Sequence, residues 1–235
     1  MIKHYLKVAF RNLMKYKTQS LVSIIGLAVG FTCFALSVLW IRYEMTYDTF
    51  HKGAERIYMV RAHYTDIPEH ISNSTPYPLA AYLQEKMPEI EAKATTSIHQ
   101  NVKIRMENDE YEVVMAAADS AFMNFFHIQL LKGTVNFLKE NNPEIAVTEE
   151  FAKKLFGSED DALGKEMEVN GRSRQIGAIV SGWSRHSNIP YSVLVAARHS
   201  PRWKSGPEQL FIRVRAGMDM DTFWKKISTM DLSDI

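Results

Sequence analysis

The chain opens on two apolar patterns of different kind. In the first twenty residues Ile2, Leu6, Ala9, Phe10, Leu13 and Met14 recur at helical spacing, opposite a basic stripe of Lys3, Lys7, Arg11 and Lys15. This predicts an amphipathic helix over residues 1–19. Its basic face suits anionic headgroups at a membrane interface, and the same pattern would serve for packing on a protein partner. Residues 21–41, LVSIIGLAVGFTCFALSVLWI, then run without a charge. As a helix they reach roughly 31 Å, the thickness of a hydrocarbon core of about 30 Å. A signal-peptide core is shorter and ends at a small-x-small cleavage site, whereas this run ends in bulky SVLWIRYE. The pattern therefore predicts a transmembrane helix over residues 20–42. Tyr16 at one end and Trp40 and Tyr43 at the other stand where aromatic belts stand.

After the span the periodicity shortens. RIYMVRAHY reads as a strand. STPYPLAAYLQEKMP reads as a helix capped by Ser74 or Thr75, with Leu79, Tyr82, Leu83 and Met87 on one face and Pro88 as its stop. VKIRMENDEYEVVMAA reads as a hairpin around Asn108–Asp109, and DSAFMNFF as a short aromatic helix. EIAVTEEFAKKLFG is a strand followed by a helix capped by Thr148 and stopped by Gly157. KEMEVNGRSRQIGAIV is a hairpin turning at Asn170-Gly171, both suited to positive φ. YSVLVAA and QLFIRVRAG add strands, and a last helix starts near Asp219. Helices interleaved with hairpins predict an α+β domain with a mixed sheet over residues 43–235.

Charge sharpens the division. Of 28 basic residues, five lie in the first 41 positions (Lys3, Lys7, Arg11, Lys15, Lys17), which hold no acid; the other 23 face all 27 acidic residues. A basic head before the span, against Arg42, Lys52 and Arg56 soon after it, orients the N-terminus inward. The mildly acidic body excludes nucleic acid as a partner. Within the span Ser23, Gly26, Gly30, Cys33 and Ser37 share an arc of about 80°. Such a small-residue face lets a second helix approach closely.

Catalytic chemistry is sparse. There is no phosphate-binding GxxxxGK[ST] loop. GWSRH at residues 182–186 lacks the final glycine of a nucleophile elbow, so Ser184 reads as a loop serine. The histidines show no metal-ligand spacing; His186 and His199 flank a strand and read as a surface pair rather than a metal site. Cys33, the lone cysteine, reads as a small apolar residue. The sequence thus calls for no cofactor, no metal and no enzyme.

Taken together, the basic helix, IIGLAVG and RYEMTYDTFHKGAERIYMV resemble the start of MacB/FtsX-type ABC transporter permeases. Gly26, Gly30, Tyr43, Glu44, Tyr47, Asp48, Phe50, His51, Arg56 and Tyr58 carry the likeness. TPYPLAAYLQEKMPEIE, ADSAFMNFFHIQLLKG, IAVTEEFAKKLFGSEDDALGKEMEVNG and IGAIV extend it through the body. Ser181-Gly182-Trp183 departs from the acidic, proline-containing turn usual in that family. The resemblance implies a two-lobed periplasmic domain on a bacterial inner-membrane anchor, with a lobe of about residues 118–189 inserted into one built from both ends. It also implies a separate ABC ATPase subunit, a second permease copy or paralogue, and a periplasmic adaptor or substrate protein, beside membrane lipid. Family permeases carry three further spans, so the chain reads as the N-terminal part of one. In such proteins ATP hydrolysis on another chain moves the periplasmic domains. The competing reading is a membrane-tethered periplasmic binding or regulatory module that works without an ATPase.

Overall fold

Two helices begin the chain in the computed structural model, which describes residues 2–63, 71–106, 109–139, 141–183, 186–203 and 208–230. Helices α1 (Ile2–Lys15) and α2 (Lys17–Glu44) meet at Tyr16, whose backbone (φ −109, ψ 55) leaves the helical range. No residue of α2 is buried within the chain. Among the described residues it is the one helix long and apolar enough to cross a bilayer. Two of its hydroxyls are satisfied internally, Thr32 donating to the Ala28 carbonyl and Ser37 to that of Cys33, each at 2.8 Å. A helix in hydrocarbon needs this, because no water is there to pair with a free hydroxyl.

From Asp48 onward the chain forms a second compact unit. A 3-10 turn at Ala54–Arg56 leads into β1 (Ile57–Val60), and the short β2 (Ala62–His63) pairs with β3 (Ile71–Ser72). Helix α3 (Tyr77–Lys86) precedes β4 (Ile90–Thr96), then β5 (Ile98–Met106) pairs antiparallel with β6 (Asp109–Ala118). Helix α4 (Ser120–Phe126), β7 (Leu130–Gly133), β8 (Glu144–Thr148), α5 (Glu149–Phe156) and the one-turn α6 (Glu159–Ala162) follow. The last elements are β9 (Glu166–Val169), β10 (Arg172–Val180), β11 (Val193–Ala196), β12 (Gln209–Val214) and α7 (Met220–Ser228).

These strands make a mixed α+β fold of two main sheets. The smaller has the order β1-β12-β4 and is antiparallel throughout. The larger has the order β7-β10-β8-β11-β6-β5-β9, with parallel β10–β8 and β11–β6 pairs. Strand β9 also pairs with the first half of β10, so six strands close into a ring with β7 on the remaining half of that edge. Closure leaves few unpaired strand edges. Ile104, Val113, Ile145, Val147, Met167 and Ile176 pack inside the ring against Phe151 of α5.

The two sheets share one apolar layer. Alternation along β12 sends Leu210, Ile212 and Val214 to a cluster with α3 and α7, and Phe211 to the opposite side. There Phe211 meets α4, whose Phe122, Phe125 and Phe126 are buried. The facing surface of the ring is built from Ala116, Ala118, Ala146 and Ala178. Small residues opposite large ones let rings sit close to a sheet without voids. Asp119 starts α4, accepting from the Phe122 amide at 2.7 Å, as an N-cap should.

Several local expectations hold. Thr148 caps α5 and Gly157 ends it at φ +84; Asn170 and Gly171 turn the β9–β10 hairpin at φ +48 and +77. Others change. Helix α3 starts after Pro76, with no side-chain cap, because the Thr75 hydroxyl is bonded instead to the Glu208 carbonyl at 3.2 Å. The larger sheet draws on residues 98–196, wider than the expected insertion at about 118–189. The reason is that β5 pairs with β6 and with β9, and β11 completes the ring. The tip of the 108–109 hairpin at residues 107–108, and Ser184, lie outside the described residues.

Candidate functional site

The five small residues singled out in the apolar run all lie on α2 (Lys17–Glu44). Ser23, Gly26, Gly30, Cys33 and Ser37 are all exposed, and a methyl group added at Gly26 or Gly30 would meet nothing within 4 Å. The motif after the span divides between the two units. Tyr43 and Glu44 end α2; the Tyr47 ring lies 5.8 Å from that of Tyr43, edge to face, and the Tyr47 amide donates to the Glu44 carbonyl at 3.3 Å.

Asp48, Phe50, His51, Arg56 and Tyr58 begin the second unit, and between them they reach several parts of it. Asp48 takes a left-handed backbone (φ +55), a conformation that short polar side chains tolerate. Its carboxylate accepts from the Ser187 hydroxyl, from the Asn188 amide at 3.1 Å and from the Asn188 side chain at 2.9 Å. The His51 side chain, 7% exposed, is wedged among rings: Phe50 at 4.3 Å, Trp183 at 4.7 Å and Phe126 of α4 at 5.0 Å. Burial holds this imidazole below its ordinary pKa, against the pull of Asp48, so it is neutral near pH 7. Arg56 donates to Glu91 of β4 at 2.7 Å and to the Val214 carbonyl of β12 at 3.0 Å. The Tyr58 ring stands edge-on to Trp224 of α7 at 4.8 Å. The segment after the span is thus fastened to the ring's 186–189 loop, to α4 and to the small sheet.

Beside it lies a cavity of about 400 Å³ over the face of β1 and β12 that turns toward α4. Ile57, Met59, Phe126 and Phe211 form its apolar wall, and Asp48, Arg61, Asn73, Asn188 and Gln209 contribute polar groups.

Two further ties join the sheets, and sequence reasoning reaches neither. Arg213 of β12 donates to the Phe125 carbonyl at 2.5 Å and lies over the Phe125 ring at 4.6 Å, placing a cation at the C-terminal end of α4. His199 does not pair with His186. It sits between Asp119, at 3.2 Å, and Glu208, at 3.1 Å, and stacks on Tyr77 at 3.9 Å. The two carboxylates raise its pKa to about 9 by hydrogen bonding, outweighing its burial. These partners are 80 and 9 positions away in sequence, so no local spacing announces them. Both nitrogens are engaged by carboxylates, which leaves no free imidazole nitrogen for a metal. Among the described residues no group of His, Cys, Asp and Glu has metal-binding geometry.

The departure at Ser181-Gly182-Trp183 also acquires a structural role. Trp183 donates to the Ile189 carbonyl at 2.8 Å and packs edge-on to His51 and Tyr191. A lone tryptophan after a strand was the only signal in the sequence.

Solved structures share this architecture. A permease-protein domain from Porphyromonas gingivalis superposes with a TM-score of 0.61 at 21% identity, over 78% of this chain and 88% of that one. The extracellular domain of the noncanonical ABC-type transporter YknZ from Gram-positive bacteria gives 0.50 at 11% identity, over 71% and 86%. The periplasmic region of MacB from Actinobacillus actinomycetemcomitans gives 0.50 at 13%, over 73% and 78%. No curated protein matches the sequence. At such identities the likeness establishes the fold, whereas the family follows from the sequence itself: residues 20–230 match the model of the MacB-like periplasmic core domain, and the chain belongs to that family.

Proposed function

We propose that this chain is the membrane-anchored periplasmic portion of an ABC transporter permease of the MacB/FtsX type, coupling ATPase-driven motion to periplasmic work. The observation that carries the reading is continuity. The family match starts inside the apolar helix α2 and runs through the domain to α7. Residues soon after the helix are fastened to distant parts of the domain. Asp48 holds the 187–188 loop, His51 bears on α4, and Arg56 holds β4 and β12. A pull on Asp48 would reach the layer shared by both sheets through the 187–188 loop. One of the similar solved structures is the extracellular domain of an ABC-type transporter, which fits an ATPase subunit as partner.

In this reading α1 lies at the cytoplasmic face of the inner membrane with Lys7, Arg11 and Lys15 toward anionic lipid. The domain is periplasmic, and the Gly26–Gly30 face packs on a second permease copy or paralogue. An adaptor or substrate protein would meet the domain. The test is genetic and biochemical together. An ABC ATPase should co-purify with the full chain from its native membrane. Replacing both Asp48 and His51 by Ala should leave that association and ATP hydrolysis in place while abolishing the transport phenotype. If inactivating the ATPase leaves the phenotype of the intact gene unchanged, the chain is a tethered binding or regulatory module instead.

A further inference from the structure

We infer that the cavity over β1 and β12 is a binding site for a small amphiphile with an apolar body and a single anionic head. The inference is independent of coupling to an ATPase. Strand register builds the site. Ile57 and Met59 share one face of β1, and Arg61 continues that face one step past the strand end. On β12 Phe211 lies directly opposite Met59, and Gln209 follows two residues further along the same face. The result is an apolar furrow that ends in a cation and an amide. Asn73 adds a second amide at the same cavity.

Charge sets the orientation of the occupant. Asp48 also lines the cavity, and its carboxylate is fully engaged by Ser187 and Asn188. It repels an anionic head. The neutral His51 offers no cation beside it. Arg61 is exposed and has no ion pair or hydrogen bond within the described residues, so its guanidinium is available to a carboxylate. The volume of about 400 Å³ falls within the range of about 300–1,000 Å³ in which small-molecule sites occur. An apolar lining with a few convergent polar groups is the composition such sites share.

The experiment uses the full chain in lipid nanodiscs, with empty nanodiscs as the subtracted blank, and decanoate as the probe in a calorimetric titration. Saturable binding above the blank is expected. Arg61→Gln, a change at an exposed position, should weaken decanoate about tenfold, the loss of one charge-assisted hydrogen bond. It should leave decanol, which has the same chain and no charge, unaffected. Met59→Trp, which fills the furrow, should abolish both, with the circular-dichroism spectrum confirming the fold. Absence of binding above the blank, equal decanoate affinity in wild type and Arg61→Gln, or equal affinity for a decyl ammonium cation and decanoate would each overturn the inference.

Discussion

His199 is a histidine whose charge the fold holds in place. Its two carboxylate partners come from the end of β6 and the start of β12, so the protonated ring ties the closed ring to the small sheet. Its folded pKa of about 9 lies above the ordinary value of 6.5. The resulting stabilisation is therefore complete below pH 6.5, shrinks as pH rises, and is gone once pH passes 9. The melting temperature of the full chain should fall between pH 6.5 and 9, and His199→Gln should flatten that fall. A wild-type melting temperature that does not change over this interval would count against the tie. Asp48 makes a second residue-level test. Asp48→Ala strands the donors of Ser187 and Asn188 and should cost about 1–3 kcal/mol in denaturant unfolding. Asp48→Asn, which retains one acceptor, should cost less.

At the scale of elements, α4 is short but carries the shared core. Phe122 is 0% exposed between the alanine face of the ring and the small sheet. Phe122→Ala should cost about 3–5 kcal/mol, because neither sheet can move inward without losing contacts to the other. Strand β7 depends on a glycine. Gly133 sits at φ +81, and an added methyl group would lie 2.2 Å from the Gly177 carbonyl oxygen. Gly133→Ala should therefore release β7 from β10, seen as faster amide exchange at Lys132 and Ala178 with the ring interior still protected. In α2 the glycine face is open, so Gly26→Leu should leave the melting of the domain unchanged and weaken helix association in a membrane two-hybrid assay. Phe31→Leu, on another face, is the control, and equal signals for all three chains would make the stripe irrelevant to association.

For the whole molecule, the shared layer makes the domain cooperative. Two sheets with separate cores would melt separately, whereas here Phe211 of the small sheet and Ala116 of the ring belong to one cluster. Native-state hydrogen exchange should give the amides of Ile212 and Ile145 the same opening free energy, and two distinct values would show that the sheets unfold independently. Orientation is testable at this scale too. The basic, acid-free head predicts that alkaline phosphatase fused after Met230 is active and that a cytoplasmic reporter there is silent. The reverse pattern would place the domain on the cytoplasmic side.

Local chemistry made much of this legible. The charge-free run of residues 21–41, the Thr148 and Gly157 signals around α5 and the Asn170-Gly171 turn depend on neighbours in sequence, and the fold respects each of them. The segment from Asp48 to Tyr58 could be singled out as a motif, but not explained. Its partners Ser187, Glu91, Val214 and Trp224 are supplied by a loop, two strands and a helix farther along the chain. Strand β4, IEAKATT, gave no strong alternating signal, and only pairing with β12 makes it a strand. Closure of the ring was equally hidden, because it rests on β9 pairing with two strands at once. Spacing of apolar residues decides which face of an element is buried. Which other element covers that face, and whether a cavity is left between them, depends on long-range register, and that exists only once the chain has folded.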